Sequence, residues 1–276
     1  MAEGTEALTF HAFRRLPGGP ASGLEIHQIG VMRDNYVYLL RDPQTGRTAV
    51  VDPGVSGPVL EAIDRLGWTL DYILNTHHHP DHVGGNLAIQ AATGAEIVGP
   101  GPDAARIPGI QHLVDDGDRW ALGAQEALVF FVPGHTKGHI AFWFAQSEAL
   151  FCGDTLFSIG CGRLFEGTPS QMWESISRLR ELPDETRVCC GHEYTLSNVL
   201  FACTIDPENA ALQAYRTEVQ TLRAEGQPTV PSLLGTEREA SPFLRADDPA
   251  LAARLGLEDA SAAEVFGAVR ARKDAF

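Results

Sequence analysis

Lysine is nearly missing from this chain: of its 21 basic residues only Lys137 and Lys273 are lysines, the rest being arginines. Set against 36 acidic residues they leave a net charge of -15, which disfavours any partner built on a phosphate backbone, so no nucleic acid is expected. No run of 18 apolar residues occurs, so no membrane-spanning helix is expected. Residues 1–20 hold no apolar stretch of signal-peptide length, which points to the cytoplasm. The five cysteines are odd in number and contain no CxxC, which excludes a disulfide framework and predicts reduced thiols. Internal repeats, heptads and low-complexity tracts are absent as well. What remains is an ordinary globular composition, 44% hydrophobic over 276 residues, enough for one large domain or two unequal ones.

Between Leu24 and His192 short β-rich runs alternate with amphipathic stretches, as when sheets are covered by helices. Strands are expected at 24–31, 36–41, 48–52, 72–75, 95–98, 127–132, 140–144, 149–152 and 187–190. Helices are expected at 58–66, 85–93 and 170–182, the last opened by Thr168 with Pro169 in its first turn. Beyond His192 the strand signal stops. Residues 209–225 read as one long helix, prolines punctuate the loops that follow, and 262–273 read as a terminal helix. The shift predicts a loosely ordered extension over 1–23, an α/β domain over 24–193 and an all-helical domain over 194–276.

Seven of the ten histidines fall in three clusters: Thr76-His-His-His-Pro-Asp-His82, Pro133-Gly-His-Thr-Lys-Gly-His139 and Cys190-Gly-His-Glu-Tyr194. Each follows an expected strand, so its side chains sit on loops displayed by a rigid scaffold. His77, His79, Asp81 and His82 lie on a turn entering a helix and can be aimed at two neighbouring points. One cation could take His77 and His79, a second Asp81 and His82. Further ligands must come from elsewhere, and His135, His192 and Asp154 all stand after strands. With two oxygens, Asp154 is the natural bridge. A lone histidine is usually an ordinary core or surface residue, and His11, His27 and His112 need no other reading. Four within six positions, with an Asp, are not explained by packing. His78 points away from its neighbours in an extended segment, and His139 reads as a group that orients ligands. The nitrogen and oxygen donors suit zinc and also accommodate iron or manganese. Cys152 and Cys190, in expected strands, read as buried packing.

The pattern HxHxDH followed by a later His, Asp and His resembles the metallo-β-lactamase superfamily. Four further segments narrow the resemblance to glyoxalase II, the hydroxyacylglutathione hydrolases: Asp34-Asn-Tyr-Val-Tyr38, Gly153-Asp-Thr-Leu-Phe157 running on to Thr168, Gly191-His-Glu-Tyr-Thr195, and Arg270-Ala-Arg-Lys-Asp-Ala-Phe276. The resemblance implies an α/β fold, a metallo-β-lactamase-type αββα sandwich with a smaller C-terminal all-helical domain that helps bind glutathione. It implies two divalent metal ions, zinc foremost, one on His77, His79 and His135 and the other on Asp81, His82 and His192. Asp154 and a hydroxide would bridge them, the hydroxide serving as nucleophile with Asp81 and Asp154 as the catalytic carboxylates. Arg163, Phe165, Tyr194, Arg270 and Lys273 would contact glutathione, although relatives often show Lys and Tyr where Arg163 and Phe165 stand.

The implied reaction is hydrolysis of S-D-lactoylglutathione to D-lactate and glutathione, the second step of methylglyoxal detoxification, by a monomer whose partner is this small thioester. The alternative is an enzyme resembling the persulfide dioxygenases, with one iron on His77, His135 and Asp154, or another hydrolase of the superfamily. The complete second ligand set counts against one iron. Two cations suit the thioester: bound water falls from a pKa of about 15.7 toward about 7, and one metal polarises the carbonyl. The thiol leaving group, with a pKa near about 8.5, hardly needs an acid. Arg270 and Lys273, at i and i+3, are expected to share a face of the terminal helix and to offer two donors to one substrate carboxylate.

Overall fold

The computed structural model describes residues 13–276. The expected loose extension lies partly outside these residues, as does His11. Its described part is ordered where it begins: Phe13–Arg15 pairs antiparallel with Glu25–Val31, and the Leu16 N–H donates to the Ile26 carbonyl. Apolar contact is the reason, since Phe13 stacks on His27 at 5.1 Å and Leu16 is buried in the core.

Among the described residues, one sheet holds seven strands in chain order: Phe13–Arg15, Glu25–Val31, Asn35–Arg41, Thr48–Val51, Tyr72–Leu74, Glu96–Pro100 and His112–Val114. The pairings are antiparallel up to Thr48–Val51 and parallel from there on. Parallel neighbours need crossovers, which the helices Gly57–Leu66 and Asn86–Thr93 and the helical turn Gly101–Arg106 help supply. Alternation sorts each strand's side chains to two faces. Tyr36, Tyr38 and Leu40 join the main core, whereas Val37 and Leu39 pack with Val59, Ile63 and Ile89 of the covering helices.

The second sheet runs in the order Ser232–Leu233, Arg187–Cys190, Ala149–Gly153, Ile140–Phe144, Gln125–Phe131 and Arg119–Leu122. Its Phe142, Phe144 and Phe151 meet Tyr38 and Leu40 in the main core, together with Met172 and Ile176 of the helix Pro169–Leu179. The layers form the implied αββα sandwich.

Beyond His192 the chain is helical over Thr195–Ile205, Ala210–Ala224, Leu234–Ala240, Pro249–Leu255 and Ala262–Asp274. The departure from all-helical is Ser232–Leu233, which pairs with Arg187–Cys190 because an edge strand still offers unpaired backbone groups. Thr195–Ile205 escaped the sequence reading because it is apolar nearly all round, burying Val199, Phe201 and Ile205, and so lacks a one-sided stripe. Short strands such as Arg119–Leu122 hold too few alternations to be read. Phe201, Phe243 and Phe266 of the helical part belong to the same core as the sandwich. Glu193 fastens the junction, accepting the Tyr36 hydroxyl at 2.7 Å and the Thr229 N–H and hydroxyl at 2.8 and 2.7 Å. No helix among the described residues is long and apolar enough to cross a membrane.

This topology brings strand ends to one edge of the sandwich. Thr48–Val51 and Tyr72–Leu74 are parallel, as are Ala149–Gly153 and Arg187–Cys190, so each pair ends together. The turn between Gln125–Phe131 and Ile140–Phe144 reaches the same edge, because Ile140–Phe144 runs antiparallel to Ala149–Gly153.

Candidate metal centre

Seven side chains meet at that edge. His79 Nδ1 lies 3.1 Å from His77 Nε2 and 3.0 Å from His135 Nε2. His82 Nε2 and His192 Nε2 lie 3.3 Å apart, and Asp81 Oδ2 is 3.5 and 3.4 Å from them. Asp154 stands between these two triads. Its Oδ2 is 3.4 Å from both His135 Nε2 and His192 Nε2, and its Oδ1 is 3.4 Å from His82 Nε2. All seven residues that the resemblance implied are thus gathered at one place.

Whether these residues fit cations is decided by their other contacts. His135 Nδ1 faces the Arg163 carbonyl at 2.9 Å, His82 Nδ1 faces Asp52 at 3.1 Å and His192 Nδ1 faces Asp34 at 2.9 Å. A ring nitrogen aimed at such an oxygen carries the proton, which leaves Nε2 to bind a metal. Lone pairs converging this closely repel unless a cation lies among them, and two nitrogens on one tetrahedral zinc at about 2.0–2.1 Å stand about 3.4 Å apart. Asp154 Oδ1 is buried without a hydrogen-bond partner, as suits an oxygen meant for a cation. The donor set fits a binuclear metal site. Asp52, His77 and His82 also cluster closely enough for a metal, but Asp52 is spent on the Thr76 N–H at 2.8 Å and the Thr76 hydroxyl at 2.6 Å.

The orienting groups are what the sequence reading missed. Asp34 and Asn35 open the segment Asp34-Asn-Tyr-Val-Tyr38, where neighbouring residues give them no role; Asn35 donates to Asp81 Oδ2 at 3.0 Å. Asp52 follows the strand Thr48–Val51, just before Pro53-Gly54, and has φ of 50°, which turns its carboxylate back toward Thr76 and His82. His139, read as an orienting group, accepts the Asp154 N–H at 3.1 Å and stacks on His77 with ring centres 4.5 Å apart. Gly153 has φ of 47°, and a Cβ there would stand 2.2 Å from the Thr76 hydroxyl, so only glycine lets the chain turn to aim Asp154. His78 leaves the cluster and meets Asp103 at 3.1 Å.

The protonation of the site divides along the triads. Burial, reinforced by neighbouring imidazoles, holds His77 and His135 below the ordinary histidine value and His79 down at about 4. Burial opposes charge at His82 too, but Asp154 and Asp52 outweigh it and hold its pKa up at about 10; Asp154, Asp34 and Asp81 likewise raise His192. The carboxyls of Asp154 and Asp81 are held low despite burial, the first chiefly by the charges of His192 and His82, the second by His192, His82 and Asn35. A raised histidine adds stability that is complete below about 6.5 and fades as pH climbs toward about 10. A depressed one subtracts stability as pH falls from 6.5 toward about 4. The chelated protein should therefore have its highest melting temperature near pH 6.5, and a melting temperature that rises steadily to pH 10 would contradict this assignment.

The centre opens into a cleft of about 490 Å³. Tyr194 stacks on His192, with ring centres 4.8 Å apart and planes 3° from parallel, and Phe165, 62% exposed, sets its edge toward His135 at 5.2 Å. Arg163 is exposed at the mouth, its Nε 3.9 Å from Asp274. Lys273 lines the cleft and donates to the carbonyl and hydroxyl of Ser197 at 3.0 and 2.9 Å. Arg270 also lines it, yet is only 5% exposed, and its terminal nitrogens donate to the Cys161 carbonyl at 2.8 Å and to Asp274 at 2.9 Å. Arg270 and Lys273 both line the cleft, as their spacing of three predicts, and the Arg270 guanidinium lies in its wall over Phe243. All five cysteines are free thiols, and Cys152 and Cys190 are buried.

Fold and donor set together fit the binuclear metal site of a metallo-β-lactamase-type protein, and residues 32–192 match the family model of the Metallo-beta-lactamase superfamily. Residues 193–276 match the model of the Hydroxyacylglutathione hydrolase C-terminus. The chain belongs to the hydroxyacylglutathione hydrolase family of that superfamily. It is 58% identical over 255 residues to the hydroxyacylglutathione hydrolase of Rhodospirillum rubrum, covering 92% of this chain and 100% of that protein. It is 57% identical over 253 residues to the hydroxyacylglutathione hydrolase of Methylococcus capsulatus, covering 92% and 99%. Among solved structures, ETHE1 from Myxococcus xanthus shares the fold with a TM-score of 0.63 at 24% identity, over 94% of this chain and 90% of that one.

Proposed function

We propose that this chain hydrolyses the thioester of S-(2-hydroxyacyl)glutathione, foremost S-D-lactoylglutathione, to D-lactate and glutathione, the second step of methylglyoxal detoxification. The observation that carries the reading is the meeting of two complete ligand triads with a cleft walled by Arg163, Arg270 and Lys273. When bound, two metal ions supply a water of lowered pKa and a positive charge for the developing oxyanion. Asp154 spans the two triads. Asp34 and Asp52 hold His192 and His82 in the orientation a ligand needs. Tyr194 stacks on His192 and Phe165 sets its edge toward His79 and His135, while Arg163 and Lys273 offset the overall charge of -15 where an anionic substrate enters. The departing thiolate leaves without a side-chain acid.

Zinc is the proposed metal, since every donor is nitrogen or carboxylate oxygen; iron or manganese would use the same donors. A cytoplasmic monomer is proposed as well: five free thiols suit a reducing compartment, and one chain completes the cleft by itself. The alternative with a single iron on His77, His135 and Asp154 leaves the triad of Asp81, His82 and His192 without a task. The test is thiol release from S-D-lactoylglutathione alongside metal analysis. We expect two metals per chain and a rate that chelation abolishes; a rate equal to that of stripped protein would falsify the proposal, and one iron per chain with oxygen uptake would favour the alternative.

Lys273 offers a finer check. Burial, with Arg270 and Arg163 nearby, lowers its pKa to about 8. As pH rises through that value the ammonium is lost, so KM should climb above pH 8 while kcat changes little. Lys273→Ala should raise KM about tenfold at pH 7 and remove that climb. A loss confined to kcat would argue against a binding role.

A further inference from the structure

His78 has no place in the metal centre, and its contacts lead to a second cluster behind the cleft. Its Nδ1 lies 3.1 Å from one oxygen of Asp103, which is 2% exposed, and the other oxygen accepts from Arg106 at 2.5 Å. Arg106 then forks onto Glu166, with Nη1 to Oε1 at 2.5 Å and Nη2 to Oε2 at 3.1 Å. Glu166 also accepts the Lys137 N–H at 2.7 Å, and Gly138 packs so closely on Asp103 that a Cβ there would meet its carboxyl carbon at 2.2 Å. The loops carrying His77 and His79, the turn Gly101–Arg106, the loop carrying His135 and the loop at 162–168 are thereby joined.

The loop at 162–168 gives this cluster a consequence for binding. Phe165 and Arg163 line the cleft from it, and both are more than half exposed. At one end the Arg163 carbonyl meets His135 Nδ1; at the other Arg106 grips Glu166 through two parallel bonds, the geometry that best restrains a carboxylate. The geometry points to Arg106 as a positioning residue for the substrate: by clamping Glu166 it holds Arg163 and Phe165 in place, so the glutathione part meets a wall already ordered. Ordering such side chains only on binding would cost affinity. Arg106 itself touches neither metal ligand nor cleft, and its reach to the cleft runs through Glu166 and the loop that carries Arg163 and Phe165. The inference rests on the proposed glutathione thioester substrate.

The experiment compares wild type with Arg106→Gln, Arg106→Lys and Glu166→Gln. Arg106→Gln should raise KM about tenfold and weaken binding of the thioether S-methylglutathione by the same factor, with kcat within about twofold and two metals retained. Amide exchange at 162–168 should quicken, Arg106→Lys should recover part of the affinity, and Glu166→Gln should repeat the loss if Arg106→Gln fails to fold. Unchanged KM and exchange would overturn the inference, as would a fall in kcat accompanied by metal loss, which would reduce the cluster to support for His135. A wild type that neither binds S-methylglutathione nor turns over the thioester would sink the proposed function instead, and exchange at 162–168 in Arg106→Gln would still test the clamp.

Discussion

Asp154→Ala is expected to strip both metals together and to lower thioester turnover by roughly 10³-fold or more. The carboxylate is the group that reaches both triads, lying 3.4 Å from His82, His135 and His192. Its removal also leaves raised His82 and His192 facing each other at 3.3 Å with less negative charge to compensate them. The measurement is metal per chain alongside the rate. Two metals with an unimpaired rate would refute the bridging role, and loss of one metal alone would assign Asp154 to a single triad.

Gly191→Ala should be nearly as damaging, although the residue has no functional group. A Cβ at that position would stand 2.6 Å from Asp154 Oδ1 and 2.7 Å from His82 Cε1. The backbone cannot retreat easily, since the Gly191 N–H donates to Gly153 at 2.9 Å and its carbonyl accepts from Tyr36 at 2.8 Å. The two side chains must therefore give way. A displacement of about 1 Å at reacting groups costs about 10²-fold in rate, so activity should fall by about that factor with weakened metal retention and an unchanged circular dichroism spectrum. Full activity with two tightly held metals would show that the pocket accommodates a methyl group.

The readable parts of the molecule were those in which function or fold is written at short range. The HxHxDH run was legible because its four ligand residues fall within six positions, and the capped helix Pro169–Leu179 because Thr168 and Gln171 form a reciprocal cap. The helix Thr195–Ile205 was not legible, because burial on most sides erases its period. Nor was Arg270: its spacing from Lys273 placed it correctly on the terminal helix, but its burial comes from Cys161, 109 positions away, and from Phe243.

Residue type and spacing alone settled which side chains stand ready to hold metal and that the five cysteines form no disulfide framework. Which nitrogens face which was set by packing in three dimensions. His82 meets His192 across 110 positions, and Asp34 orients His192 across 158. A metal site is a matter of ångströms, and spacing along a chain constrains distance only within a turn or a helix. Beyond that range the distances are set by how strand ends from two sheets come to one edge.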